Sequence, residues 1–269
     1  MLRLTSATDS QAGSAFSLSP VQLGDNASFS TAFSFQLWDG GGISDGTGNQ
    51  AGADGLVFVL NTVSNTVGSS GQGVGYQGIN NSVGVKFDTW DDSAGSFPQD
   101  NDPNGNFVAI YADGSTHMYD PDLSDNTASY NNYADDAHAY YTPSDLMKNG
   151  NIWYAWVDYN GVTDELDVSL SETDVRPSTP DLSEIIDLNS PSILGSSPEV
   201  YAGFTSGTGA AYDNTDILSW QFNDTYDPIQ TVGAPSGVPD AGPDAALLAA
   251  ILFGLCGLAA FGRRRELEA

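Results

Sequence analysis

The chain of 269 residues carries 35 acidic side chains against 7 basic ones, a formal net charge of −28. A surface of that sign repels phosphate backbones and excludes nucleic acid as a partner. Its single cysteine, Cys256, excludes a disulfide or a cysteine-ligated zinc in the folded part.

Met1–Ser10 has no apolar leader, so export implies a start upstream or a leader already removed. Ser28–Leu37 alternates Phe29, Phe33, Phe35 and Leu37 with polar residues, the period of a half-buried strand. Apolar runs follow at Leu56–Leu60, Val83–Phe87, Phe107–Tyr111, Ile152–Tyr159, Leu166–Leu170, Val200–Phe204 and Ile217–Phe222. Residues 112–150, rich in Tyr, Asn and Asp and without period, are expected to form a long loop region. Strands so spaced, rich in Gly, Ser, Thr, Asn and Asp between them, predict an all-β sandwich of two sheets over 2–232.

Between Val83 and Ile110 a strand ends on Asp88 and is followed by further carboxylates and amides. Oxygen ligands crowded into one loop suit a hard cation such as calcium, which takes about 6–8 of them. Asp100-x-Asp102-x-Asn104-Gly105 imitates the start of an EF-hand, but Tyr111 stands where that loop requires Glu, and strands flank it.

The chain closes on a Pro/Gly linker at 233–243, an expected transmembrane helix at 244–262 and a basic cytoplasmic tail at 263–269. Ala245–Phe261 is 17 consecutive apolar or Gly residues, at the short end of what spans a bilayer. Arg263–Arg265 would hold the cytoplasmic side. The tail resembles the bacterial C-terminal sorting signals recognised by exosortases, with Val238-Pro239-Asp240-Ala241-Gly242 as the short motif. It departs at Ala241, where Ser is common, and in the trailing Glu266-Leu267-Glu268-Ala269. The resemblance implies an exosortase-like processing enzyme as partner, membrane anchorage before processing, and a place at the cell surface or in a secreted matrix. A plain C-terminal anchor is the alternative.

Taken in order, the segments of 2–232 resemble the legume-type (L-type) lectins. The likeness runs from Gly13–Phe16 through Phe29–Phe35, Ala53–Phe58 and Phe87–Trp90, then Trp156–Asn160 and Leu166–Ser171. It closes on Tyr201–Gly209 and Ile217–Phe222. It implies a concanavalin-like jelly roll of two antiparallel sheets and a non-catalytic, calcium-dependent carbohydrate-binding protein whose partners are glycans or polysaccharides. The family's sugar-binding Asp, held by a cis peptide, falls on Asp54, and its calcium ligands fall on Asp88, the Trp90 carbonyl, Asp92 and Asp102. The loop whose glycine N–H meets sugar falls on Gly71-Gln72-Gly73-Val74-Gly75, with the register open between Gly71 and Gly73. The loop that sets monosaccharide preference falls on 207–212, through the N–H of Gly209, Ala210 or Ala211. The Trp90 ring either stacks on a pyranose or joins the core.

Two departures from the family pattern stand out. Lys86 and Phe107 replace the Glu and His of its transition-metal site, which implies that this second site is lost. Lys86 shares a strand face with Asp88, so its ammonium is expected where that metal would be. Asp92 replaces an Asn; a carboxylate has no N–H to donate, unless Asn101 or Asn106 substitutes. Two rivals remain: a structural surface protein that keeps the fold without binding sugar, and a glycoside hydrolase. The hydrolase reading needs paired carboxylates, and the candidate cluster, Asp164-Glu165-x-Asp167, reads as a hairpin turn.

Overall fold

Alternation of apolar and polar side chains sorts the strands into two antiparallel sheets. A computed structural model describes residues 1–63, 65–92, 101–118, 136–195 and 199–233, all within one unit that reaches Gly237. The expected sorting motif, membrane span and basic tail lie outside the described residues, as do Asp100 and residues 119–135. Among the described residues no helix is long and apolar enough to cross a membrane.

In chain order the strands are β1 Leu2–Thr5, β2 Ala12–Phe16, β3 Val21–Gln22, β4 Phe29–Gly42, β5 Gly55–Asn61, β6 Ser82–Asp88 and β7 Phe107–Ala112. They continue with β8 Tyr140–Tyr141, β9 Ile152–Asn160, β10 Glu165–Ser171, β11 Leu182–Ile185, β12 Glu199–Gly207 and β13 Ala211–Asn223. One sheet runs β1-β13-β4-β9-β10-β11 and the other β2-β12-β5-β6-β7-β8, with β3 paired to β12. The two-sheet sandwich expected from the sequence is the one observed.

The core between the sheets is aromatic. Phe33 lies edge-on to Phe204, with ring centroids 4.9 Å apart, and to Phe87 at 5.7 Å, while Phe58 packs beside both Phe33 and Phe204. Such pairs add to the burial that drives the sheets together. The β5 sheet is buried on its other face too. Val57 and Val59, then Phe107, Ala109 and Tyr111, form a second apolar layer under Val74, Tyr76 and Ile79. This explains why every residue of β5 is buried.

Burial on β4 goes further than alternation predicts. Ser30, Thr31, Ala32 and Ser34 are buried as well as the phenylalanines. Ile229 and Val232 fold back over the outer face beside Ala32 and Trp156. Asp174 accepts the Val232 and Gly233 N–H groups, holding that segment in place. The region expected to be one long loop, 112–150, contains β8 and a bridge between Met118 and Ala137. These pairings are too short to carry a period of their own.

Register sets up the candidate site. Gly55 lies opposite Asp88 on β6 and opposite Gly207 on β12. The ends of three central strands are therefore level at one edge of the sheet, and the segments 50–54, 89–92 and 208–210 meet there.

Candidate functional site

Asp54 stands one residue before β5, joined to Ala53 by a cis peptide. Its N–H donates to Gly207 O (3.0 Å) and its carbonyl accepts from Thr89 N–H (3.2 Å), which locks it between the two neighbouring strand ends. Gly55 follows with φ +113°, and a Cβ there would lie 2.1 Å from Phe87 O. Only glycine allows the chain to turn from Asp54 into the strand so close to β6. The Asp54 side chain is 5% exposed, and its Oδ2 has no hydrogen-bond partner. Burial, followed by the charges of Asp92 and Asp88, raises its pKa well above the usual carboxylate value, with Lys86 opposing.

Asp54 forms part of a cleft of about 640 Å³ that is also lined by Gly71, Trp90, Asp92, Gly209, Ala210 and Ala211. The residues expected to bind sugar therefore meet in one place, except Gly73, which is buried beneath. Gly71 and Gly209 face each other, with a Cβ built on Gly209 falling 3.6 Å from Gly71 Cα and 3.5 Å from Asp54 Oδ2. Several backbone donors of these loops are engaged internally. Gly71 N–H donates to Thr208 O (3.1 Å), Gly73 N–H to Ser70 O (3.3 Å) and Gly209 N–H to Ala211 O (3.0 Å). Trp90 is half-buried on the cleft wall, between the two roles expected for it.

The three carboxylates expected to bind calcium, Asp88, Asp92 and Asp102, all act on Lys86. Its ammonium pairs with Asp88 Oδ2 and lies 6.0 Å from the centre of the Phe107 ring and 5.9 Å from that of Tyr111. Burial lowers its pKa, but Asp88, Asp102, Tyr111 and Asp92 together raise it well above the usual lysine value, so it stays charged. Asp88 Oδ1 accepts Trp90 N–H (2.8 Å), and Asp102 Oδ2 accepts Asp92 N–H (3.0 Å). The Asp102 pKa is raised by burial and then by Asp88, partly offset by Lys86. Its Oδ1 is buried with no hydrogen-bond partner. Among the described residues no three acidic, His or Cys side chains are already spaced to hold a metal.

Asn106 does not replace the donor missing at Asp92. Its Nδ2 donates to Asp145 O (3.0 Å) and its Oδ1 accepts Met147 N–H (2.9 Å). Asn101 is exposed. The Asp164–Asp167 cluster lies at the β9–β10 hairpin, as expected, with Tyr159 donating to Asp164 and Ser183 to Asp167.

Sequence reasoning missed Lys148 and Asp45. The Lys148 ammonium donates to Thr89 O (2.8 Å) and Gly52 O (3.2 Å), lies 3.7 Å from Asp45 Oδ1 and sits 5.9 Å from the Trp90 ring centre. Asp45 in turn accepts Asp91 N–H (2.9 Å) and Thr47 N–H (2.8 Å). One buried cation thus ties the segment before Asp54 to the segment after Asp88 and to the cleft wall. Burial lowers the Lys148 pKa, with Asp45 and Asp213 opposing. The available signal was rarity: Lys148 is one of only four basic residues before the C-terminal arginines.

Comparison with known proteins agrees with this geometry. The family model described as "Legume lectin beta-barrel domain" matches residues 1–219. A probable L-type lectin-domain containing receptor kinase, S.7, from Arabidopsis thaliana is 32% identical over an alignment of 234 residues that covers 80% of this chain and 29% of that protein's length. Basic winged bean lectin, solved with Tn-antigen, is 25% identical with a TM-score of 0.58, covering 82% of this chain and 84% of the lectin. Lectin I-B4 from Griffonia simplicifolia, in its metal-free form, is 26% identical with a TM-score of 0.55, covering 80% and 81%. The chain belongs to the L-type (legume) lectin domain family.

Proposed function

We propose that this domain is a non-catalytic carbohydrate-binding module whose site is the cleft around Asp54. The observation that carries this reading is the Asp54 carboxylate, buried at the cleft floor with one oxygen lacking a partner. A buried acceptor left unsatisfied costs about 1–3 kcal/mol, which sugar hydroxyls reaching the cleft would recover. The winged bean relative was solved with a glycan antigen, and belonging to the same family favours the same class of ligand. Gly71 and Gly209 carry no side chain to hold a ring off the floor, and Ala210 lines the same cleft.

Calcium is the cation that fits. The donors near Asp102 are oxygens, the Asp102 Oδ1 acceptor is buried and unsatisfied, and Lys86 already neutralises one charge of the group. Asp88, Asp92, Asp102 and the Trp90 carbonyl would hold it. The bound ion would supply fixed positive charge that keeps the loop after β6 in place. With the Lys86 ammonium beside Phe107, room for a second metal is lost. Export follows the family's usual setting, and the tail's sorting-signal resemblance supports delivery to a cell surface or matrix through an exosortase-like enzyme. A surface protein with an idle pocket remains the second reading, favoured by the donor lost at Asp92.

The test is glycan-array binding of the full chain with calcium, after chelation, and with Asp54→Asn. Binding is expected in calcium, weak for monosaccharides, at roughly −4 kcal/mol for a millimolar Kd. Chelation should remove it, and Asp54→Asn should abolish it. Folded protein that binds no glycan in any condition overturns the sugar-binding reading, and binding indifferent to chelation overturns the calcium.

A further inference from the structure

Three consecutive backbone donors along the cleft are already engaged by carboxylates. Trp90 N–H donates to Asp88 Oδ1 (2.8 Å), Asp91 N–H to Asp45 Oδ2 (2.9 Å) and Asp92 N–H to Asp102 Oδ2 (3.0 Å). The glycines of the neighbouring loops are engaged too, Gly71 N–H by Thr208 O and Gly209 N–H by Ala211 O. An ionised carboxylate at 92 donates nothing, and neither Asn101 nor Asn106 lines the cleft. One donor of this segment is left over. The Trp90 side chain lines the cleft half-buried, and its indole N–H meets no acceptor among the described residues and is not sealed from solvent. The ring is also held in place. Its backbone is pinned by the bonds above, and the Lys148 ammonium, fixed by Thr89 O and Gly52 O, lies 5.9 Å from the ring centre. Ordering it around a ligand costs little side-chain entropy, unlike the longer amides of Gln72 and Gln77 on the same cleft.

A sugar hydroxyl both donates and accepts, so a pocket of acceptors alone leaves part of each hydroxyl unmet. We infer that the Trp90 indole N–H takes over the donor role lost at Asp92, giving its hydrogen to an oxygen of the same sugar whose hydroxyls Asp54 accepts, and so decides which pyranose is taken. This rests on the carbohydrate-binding reading above and adds its specificity-determining residue. The N–H lies in the plane of the indole, so donation uses the ring's edge, whereas stacking on a pyranose would use its face. The ligand class follows. It is a neutral pyranose with an acceptor oxygen beside the hydroxyls bound by Asp54. A deoxy carbon or an ammonium at that position would strand the N–H in a desolvated cleft.

The experiment is NMR of the full chain, labelled with nitrogen-15 in its five tryptophans, titrated in calcium with methyl galactoside, methyl glucoside and methyl mannoside. The indole resonance that Trp90→Phe removes belongs to Trp90. With the glycoside that binds, it is expected to move downfield and to exchange more slowly with water. Trp90→Phe keeps a ring and loses the N–H, and is expected to bind about tenfold more weakly. Monodeoxy forms of that glycoside then find the accepting oxygen. One of them should bind the unaltered protein about tenfold more weakly than the parent sugar, yet bind Trp90→Phe as well as the parent sugar does. If Trp90→Phe does not fold, benzothienylalanine at position 90, which keeps the shape of tryptophan with sulfur in place of N–H, carries the same expectations. Undiminished binding by the variant, an unmoved Trp90 resonance, or deoxy losses equal in both proteins would overturn the inference and leave the lectin reading standing. Folded protein that binds none of the three and no other array glycan would sink both.

Discussion

Glu184 is a carboxyl group on the wrong side of a strand. On β11 it lies opposite Leu166, a fully buried core residue, so its side chain enters the edge of the sandwich, where it accepts Ala139 N–H (3.2 Å). Burial pushes its pKa from 4.5 up to about 7, against the opposing effect of that hydrogen bond. The sign follows from linkage. Below pH 4.5 the group is protonated folded or unfolded and costs nothing; through pH 7 the unfolded state ionises first, and stability falls as pH rises. Asp213, pushed up to about 8 by burial with Thr215 and Lys148 opposing, acts in the same direction. Glu184→Gln keeps an acceptor for Ala139 and cannot ionise. It should stabilise the protein by about 2 kcal/mol at pH 8 and leave it unchanged at pH 4. Urea titrations at the two pH values check this; equal effects at both would show that the carboxyl is not buried as described.

Loops, rather than strands, carry the site, and Lys148 is what joins them. Lys148→Met would leave Gly52 O and Thr89 O without their donor and Asp45 and Asp213 without their counter-charge. Stranding one member of a buried ion pair costs about 3–5 kcal/mol. The expected outcome is a loss of that size in urea unfolding, with glycan binding lost even in refolded samples at saturating calcium. A variant that binds as the parent does would remove Lys148 from the site. This cluster also marks how far the sequence could be read. The long strands were legible, because Phe29, Phe33 and Phe35 alternate and Val83–Phe87 is apolar or Gly except at Lys86. The short edge strands β1, β3, β8 and β11 were not, since two to four residues hold no period. Asp54, Asp92 and the 209–211 loop were legible as a site only through family resemblance, which fixes which loops meet. Lys148 and Asp45, 103 positions apart in a chain numbered 45 and 148, had no such guide, because contacts between irregular segments leave no local pattern. Nor could residue type reveal that the Gly71 and Gly209 N–H groups are already engaged.

At the scale of the whole molecule, every Lys and Arg among the described residues is committed to an ion pair. Of seven basic residues, Arg263, Arg264 and Arg265 belong to the tail, leaving four. Each of these pairs with a buried aspartate: Arg3 with Asp216, Lys86 with Asp88, Lys148 with Asp45 and Arg176 with Asp158. Arg3 does so in bidentate fashion while Trp38 donates to the same carboxylate (2.7 Å). Among the described residues most of the remaining carboxylates are exposed or half-buried, and acidic groups far outnumber the cations. Like charges spread over a compact surface favour the expanded chain, and salt screens them over about 10 Å at 0.1 M. Salt reaches the four ion pairs much less, because their aspartates are only 1% exposed. The two effects of salt usually compete; here screening of repulsion wins. The melting temperature should rise by about 5 °C between 0.05 and 1 M sodium chloride, measured by calorimetry at fixed pH in chelator, so that calcium binding cannot contribute. A melting temperature that falls with salt would mean that exposed ion pairs outweigh the surplus acid, and would contradict the commitment of all four cations to buried partners.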